Sequence, residues 1–496
     1  MMHLSTAQID RACGVLLASG VGDALGAGYE FGHAPYDGWP AMIGGGLGNF
    51  APGEWTDDTA QAMAIATVAA TGADLRTTEA LDAVAAGFAK WFADIPSDVG
   101  MQTRQVLSLA GRHATASEMA TAAQTVHTRS GGRSAGNGSL MRTAPVALAH
   151  LNDPAALVEA AMAISALTHH DPIAGEGAAL WCLMIRHAVL HGTFPTSDDV
   201  LPLLGDTVRD WGKELTKAEA TPPEVFTENG WVVGALQAAW SAIRHTPVPD
   251  EMPCLHLQHA LATAIGIGHD TDTVAAIAGA LLGARWGASA VPQEWQGLLH
   301  GWGHPLDDDQ RTSGASTLNA LATLTLRGGS PDSAGWPTGA HVDYSGWGLL
   351  GTCAPHPHAE GIWIGDAGAI DALPTEIDAV VSLCRIGNQQ IPKGATSHVV
   401  RLIDTTPEDN PNLDFVIDDA ARVTLSLRDQ GHRVFLHCVA AQSRTPTVAA
   451  RIGVLEGAPL ETAIREVKSA LPKARPQAWL LDAVRRLSET AGSNRT

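Results

Sequence analysis

The sequence predicts a multidomain protein: an all-helical domain over residues 1–326, a linker over 327–340, and an α/β domain with a central, mainly parallel sheet over 341–496. Three observations predict it. A chain of 496 residues exceeds one ordinary domain. Its first part carries Ala/Leu-rich stretches with apolar residues at i, i+3 and i+4, as in "TAQAMAIATVAATGA", "TEALDAVAAGFAKWFADI" and "TVAAIAGALLGARWG". Its last part instead alternates short β-like runs ("GIWIG", "AVVSLCRI", "HVVRLID", "RVFLHC") with helical pattern ("LDFVIDDAARVTLSLRDQ", "TPTVAARIGVLEG"), which implies parallel strands covered by helices. Between the two, "RGGSPDSAGWPTGA" breaks all periodicity with Gly, Pro and Ser.

Composition narrows the function classes. With 45% apolar and 17% charged residues, each half has material for a packed core. A formal net charge of -21 repels polyanions, so neither nucleic acid nor an anionic membrane surface is an expected partner. The cysteines, Cys13, Cys182, Cys254, Cys353, Cys384 and Cys438, lie at least about thirty residues apart and form no CxxC pair. That usage fits a reducing cytoplasm rather than a disulfide framework. The apolar run "CGVLLASGVG" lacks a basic leader, and no uninterrupted apolar span of eighteen residues occurs, so neither a signal peptide nor a membrane helix is expected.

In the helical part the polar chemistry sits in the joints where helices begin. "GEWTDDTAQAMAIA" sets Thr56, Asp57 and Asp58 before one helix, and "GHDTDTVAAIAGALLG" sets Asp270, Asp272 and Thr273 before another. Thr and Asp are ordinary N-caps, and capping explains either cluster alone. Two such clusters in one Ala-rich bundle have a second explanation. Neighbouring carboxylates raise each other's pKa unless a cation neutralises them, and all-oxygen ligands select Mg²⁺ or Mn²⁺ over zinc.

The ordered set "GDALGAGYE", "WTDDT", "GNGSLMR", "THHDP" and "GHDTDTVAAIAGALLGA" resembles the ADP-ribosylglycohydrolase family. The resemblance implies an orthogonal helical bundle with a binuclear Mg²⁺ or Mn²⁺ centre that hydrolyses glycosidic bonds at the anomeric carbon of ADP-ribose. It implies Thr56, Asp57, Asp58, Asp270, Asp272 and Thr273 as metal ligands. Glu30 and Asp98 are both implied as the catalytic carboxylate, the choice between them left open. Gly136, Asn137, Gly138 and Ser139 let backbone N–H groups approach a diphosphate, and His169 matches a histidine placed near the nucleotide. The partner is then an ADP-ribosylated protein or an ADP-ribosyl metabolite.

The second part carries a cysteine at the end of a β-run, Cys438, followed after five intervening residues by Arg444 and Thr445 at a helix start. Such a loop lowers a thiol pKa and binds a phosphate dianion, and Arg444 supplies a planar fork for two phosphoryl oxygens. Over about residues 355–490 the pattern resembles the protein tyrosine and dual-specificity phosphatases. The resemblance implies a Cys438 nucleophile, a Thr445 hydroxyl bonded to the thiolate, and Asp404, 34 residues before the cysteine, as general acid, with Asp409 as the fallback. The partner would be a phosphorylated protein or small phosphoester, with no cofactor. Where the usual loop has glycine, this chain has Ala441, which is strained if the position needs φ > 0. The sequence therefore predicts a bifunctional hydrolase; the alternative is a glycohydrolase with a non-catalytic phosphate-binding or regulatory C-terminal module.

Overall fold

The computed structural model describes residues 3–303, 312–387 and 389–493. The chain divides into two units: Met1–Val291 with Leu298–Ser330, and Pro292–Gly297 with Pro331–Thr496.

The first unit is helical, with one addition that periodicity did not predict, an antiparallel pair of β1 (His300–Trp302) and β2 (Thr312–Gly314). Its central helix, Thr6–Gly26, starts at a reciprocal cap: Ser5 Oγ accepts from Gln8 N at 3.2 Å and Gln8 Oε1 from Ser5 N at 2.9 Å. This helix is almost wholly buried and packs along the Thr271–Trp286 helix. Glycines allow the contact. A methyl group on Gly283 would sit 1.9 Å from the Gly14 carbonyl oxygen, and one on Gly26 would sit 2.4 Å from Asp272 Cα. The close approach runs to the end of the pair that carries Asp23 and Asp272.

Two stretches, Thr6–Gly32 and Pro172–His191, are long and apolar enough by composition to cross a membrane, which the count of uninterrupted apolar residues had not anticipated. Their apolar windows are mostly buried inside the helical unit, as befits core helices.

The second unit holds a five-stranded sheet of β3 (Cys353–Pro355), β4 (Ile362–Asp366), β5 (Ala379–Ser382), β6 (Thr396–Val399) and β7 (Val434–Cys438). Its order is β3-β4-β7-β5-β6, parallel throughout except for the antiparallel edge strand β3. The central position of β7 explains its apolar run Val434–Leu436 and the burial of every residue from Val434 to Cys438. Register places Asp366 beside Cys438 and Ser382 beside His437. The helices Leu413–Asp429 and Arg444–Leu455 match expectation, whereas β3 and the helices Leu460–Ala470 and Ala478–Ser493 were not anticipated. The run "HVVRLID" gives a strand only to Val399, and the residues after it leave the sheet towards Asp404.

The stretch 327–340 is not a bare connector. From Asp332 onward it is tied into the second unit: Asp332 Oδ1 accepts from Ala334 N at 2.9 Å and Trp336 N at 3.0 Å. Asp332 Oδ2 pairs with Arg385 at 2.9 Å, and that guanidinium lies 4.3 Å from the Trp336 ring centre.

Candidate functional site

Three chain segments bring their carboxylates together in the first unit. Oxygens of Asp23, Asp58 and Asp272 lie within 4.8 Å of one another, and so do oxygens of Glu30, Asp270 and Asp272. Asp272 belongs to both groups, so the two triads are adjacent. The helix starts at Thr56 and Asp270 make no side-chain cap bond, unlike those at Ser5, Thr77, Thr115, Asp153 and Asp171. The acidic joints are therefore not caps. Thr56 Oγ1 instead donates to Asp58 Oδ2 at 3.0 Å, and the Asp272 carboxylate accepts from Thr273 N at 2.9 Å. The Thr273 hydroxyl lies 3.9 Å from Met141 Sδ.

Asp23 organises the first joint. Its two oxygens accept from Thr56 N at 2.9 Å, Thr59 N at 3.0 Å and Thr59 Oγ1 at 2.6 Å, which fixes the turn that presents Asp57 and Asp58. Asp57 Oδ2 accepts from Gln61 Nε2 at 3.0 Å and Gly100 N at 3.4 Å. Asp270 Oδ2 accepts from Asn137 Nδ2 at 2.7 Å, while Asn229 Oδ1 accepts from Asp270 N at 3.2 Å. Asp58 Oδ1 and Glu30 Oε2 are buried with no hydrogen-bond partner.

The electrostatics follow from this crowding. Burial first, then the charges of Asp270 and Asp98, pushes Glu30 up to about 8. Burial and Asp98 push Asp57 to about 8, and burial raises Asp23 to about 6. Asp58 and Asp272 stand well above the ordinary carboxylate value for the same reason, and Asp270 is raised. Buried oxygen donors of one sign, two of them unpartnered, fit a hard divalent cation.

Asp98 borders this cluster, half-buried, with its Oδ1 accepting from Val99 N at 2.7 Å. It does not cap the following helix, Met101–Ala110, whose N-cap is Gly100. The Gly-rich turn differs from expectation. Asn137 is committed: its N–H donates to Gly230 O at 3.2 Å, and its amide to Asn229 O at 2.8 Å and to Asp270. Its amide orients the Asp270 carboxylate. Gly136 and Gly138 lie against the His169 ring, where a methyl on Gly138 would sit 3.2 Å from Cε1, and Ser139 is buried beneath. His169 is buried and its pKa falls to about 3, through burial and then Arg142.

In the second unit, Cys438 ends β7, and residues 439–443 turn into the Arg444–Leu455 helix. Ala441 has φ = 49°, the left-handed conformation that its replacement of glycine put in question. Arg444 lies beside Asp404, its Nε 3.6 Å from Asp404 Oδ2, while its Nη1 donates to Leu383 O at 2.7 Å and Leu402 O at 3.2 Å. Asp404 Oδ1 and Arg444 Nε have no hydrogen-bond partner. Asp409 is committed to its own turn, accepting from Thr406 Oγ1 at 3.2 Å and from Thr405 Oγ1. Thr445 corrects an expectation: its hydroxyl donates to Gly365 O at 3.3 Å, across to β4, and not to the cysteine. Asp366 accepts from the N–H groups of Leu350, Gly351, Thr352 and Gly368, a structural role.

Comparison with known proteins locates the first unit. Residues 4–330 match the family ADP-ribosylglycohydrolase. The ADP-ribosyl-[dinitrogen reductase] glycohydrolase of Rhodospirillum rubrum is 30% identical over 297 residues, which span 58% of this chain and 90% of that protein. The chain belongs to the ADP-ribosylglycohydrolase family. ADP-ribosylarginine hydrolase Tri1 of Pseudomonas putida (strain GB-1) is 28% identical over 298 residues, 58% of this chain and 73% of Tri1. Among solved structures, human DUSP28 aligns at 19% identity with a TM-score of 0.25, covering 28% of this chain and 99% of its own.

Within this ADP-ribosylglycohydrolase chain, sequence reasoning assigned no role to Asp23, Gln61, Asn229 or Arg142. Asp23 had a signal: a carboxylate in the apolar run "VLLASGVGDALG" must be buried with donors or a cation. Gln61 is a polar side chain in an apolar helical sequence and Arg142 ends the joint "GNGSLMR", and only the fold shows what they hold.

Proposed function

We propose that the helical unit hydrolyses the glycosidic bond between ADP-ribose and its acceptor with the help of divalent cations, Mg²⁺ or Mn²⁺. The observation that carries this reading is the pair of carboxylate triads sharing Asp272, with Asp58 Oδ1 and Glu30 Oε2 left unpartnered. Thr56, Asp57, Asp58, Asp270, Asp272 and Thr273 would hold the cations, while Asp23 keeps the Thr56–Asp58 turn in place. A cation bound there supplies charge neutralisation and a more acidic bound water.

Glu30 is the better-placed proton carrier. It is buried in one triad and its Oε2 is unpartnered, so it can give a proton to the departing group or take one from water. Asp98 is half-buried and already holds Val99 N, and it acts on Glu30 through its charge. The acidic mouth favours a cationic acceptor, so we take ADP-ribosylarginine, on which the relative Tri1 is named as acting, as the first substrate to try. The test is release of ADP-ribose from ADP-ribosylarginine in Mn²⁺, in EDTA, and with Asp272→Asn. Metal-dependent release lost in the variant is expected; release undiminished in EDTA would sink the reading.

A second activity rests on the Cys438 loop. Its thiolate would attack phosphorus as the ester oxygen leaves with a proton from Asp404, and water would then cleave the phosphocysteine. The Asp404–Arg444 pair beside the loop favours this over a passive module. Hydrolysis of para-nitrophenyl phosphate by the full chain, compared with Cys438→Ser, decides: equal rates leave only the non-catalytic alternative.

A further inference from the structure

Beneath the acidic cluster, Arg142 is fully buried with its guanidinium stacked 4.2 Å from the Phe88 ring centre. A buried guanidinium costs several kcal/mol in desolvation unless its surroundings answer it, yet no carboxylate bonds to it among the described residues. Its partners are neutral. Nη1 donates to Gln61 Oε1, and Nη2 donates to Thr168 Oγ1 at 2.5 Å. Each partner touches a residue of the proposed site: Gln61 Nε2 donates to Asp57 Oδ2 at 3.0 Å, and Thr168 Oγ1 lies 2.8 Å from His169 Nδ1.

We propose that Arg142 is a positioning residue that sets two site groups at once, the Asp57 carboxylate through Gln61 and the ring tautomer of His169 through Thr168. The logic is one of donors. A guanidinium has five N–H groups and no acceptor. Gln61 must therefore turn its oxygen to Arg142, which leaves its NH₂ for Asp57 and fixes that amide in one of its two orientations. Thr168 must likewise accept from Arg142. Its hydroxyl is wholly buried, and its one hydrogen finds an acceptor in His169 Nδ1. His169 Nδ1 is then bare, and the ring proton sits on Nε2.

That proton has a use. Nε2 faces the Gly136–Gly138 turn, where a methyl group would lie 3.5 Å away at Gly136 and 3.3 Å away at Gly138. His169 thus offers an N–H, not a lone pair, on the side of the glycine turn, and a ligand oxygen can accept it. The same guanidinium holds Asp57 Oδ2 in its bond with Gln61, leaving the other oxygen for a cation. Outer partners of this kind typically tune metal affinity 10–100-fold.

The inference rests on Asp57 and His169 serving the proposed site, but its test needs no turnover. In the full-length protein labelled with ¹⁵N-histidine, with His169→Gln to assign the resonance, the ring should carry its proton on Nε2. Thr168→Ser should keep that signature and Thr168→Val should lose it. Gln61→Leu should weaken Mn²⁺ binding about tenfold. Arg142→Lys, which keeps charge but loses the planar fork, should move both readouts. The Thr168 and Gln61 variants stand even if the lysine protein does not fold. A wild-type His169 protonated on Nδ1, an unchanged tautomer in Thr168→Val, or unchanged Mn²⁺ affinity in Gln61→Leu would each overturn it. Lack of ADP-ribose release would instead strike the functional reading alone.

Discussion

Gly26 packs directly on Asp272: a methyl group at Gly26 would lie 2.4 Å from Asp272 Cα and 2.6 Å from Thr271 O. The last turn of the central helix is therefore pressed onto the backbone of the residue whose carboxylate both triads share. Gly26→Ala must separate the helices or twist the Asp270–Thr273 turn. Overpacking of this kind costs about 1–3 kcal/mol. The expected outcome is a lower denaturation midpoint together with weaker Mn²⁺ binding, read by calorimetric titration on the folded fraction. Loss of stability with Mn²⁺ affinity intact would contradict the link.

The carboxylate cluster sets a pH dependence with a definite sign. Burial and neighbouring charge raise Asp57 and Glu30 to about 8, and burial raises Asp23 to about 6, whereas unfolded carboxyls titrate near 4. Between those limits the folded, cation-free protein binds more protons than the unfolded chain, so its stability is highest in acid and falls as pH rises. A divalent cation competes with those protons and stabilises the fold by about 2.7 kcal/mol at a hundred times its Kd. Melting temperature in EDTA should fall from pH 5 to pH 8, and the increase on adding Mn²⁺ should be larger at pH 8. Equal increments at both values would contradict the cluster's part in binding.

Glu30 and Asp98 separate by variant kinetics. Loss of a general acid or base typically costs 10²–10⁴-fold. Glu30→Gln should lower kcat for ADP-ribose release by about 10²-fold or more with little change in KM. Asp98→Asn should cost much less, because it acts by charge alone. The reverse ranking would transfer the proton carrier's role to Asp98.

Ala441 marks a cost in the second unit. A residue with Cβ at φ = 49° is disfavoured by about 1–2 kcal/mol, partly offset by the greater entropy that glycine brings to the unfolded chain. Ala441→Gly should raise the urea midpoint, by a net effect of order 0.5–1 kcal/mol, and should not lower any para-nitrophenyl phosphate hydrolysis that the wild type displays. A lower midpoint would mean that the loop does not carry strain at this position.

The acidic joints were legible because helix starts, Asp and Thr are local signals, and "TDDT" and "DTDT" fall where periodicity begins. Their union was not. It depends on glycines, Gly26 and Gly283 among them, that let two backbones touch across more than two hundred residues of sequence. Asp23 went unassigned because its function is to hold the Thr56–Thr59 backbone, and no spacing rule reports a carboxylate's distant N–H partners. The bond of Asn137 to Asp270 was hidden for a related reason: a small residue in a Gly-rich turn carries no local sign that its amide reaches a carboxylate more than a hundred residues away. In the second unit, local pattern located β7, the turn and the helix after it. It could not foresee that Thr445 reaches the Gly365 carbonyl of a neighbouring strand, which is a matter of register between β4 and β7.

We propose that the triads meeting at Asp272 hold divalent cations for ADP-ribosyl hydrolysis. Anomalous diffraction from crystals grown with Mn²⁺ and ADP-ribose tests it most directly. Manganese peaks are expected among Asp57, Asp58, Asp270 and Asp272, with the ribose beside Glu30. Saturating Mn²⁺ with no peak among these carboxylates, in a protein that still releases ADP-ribose in EDTA, would contradict it.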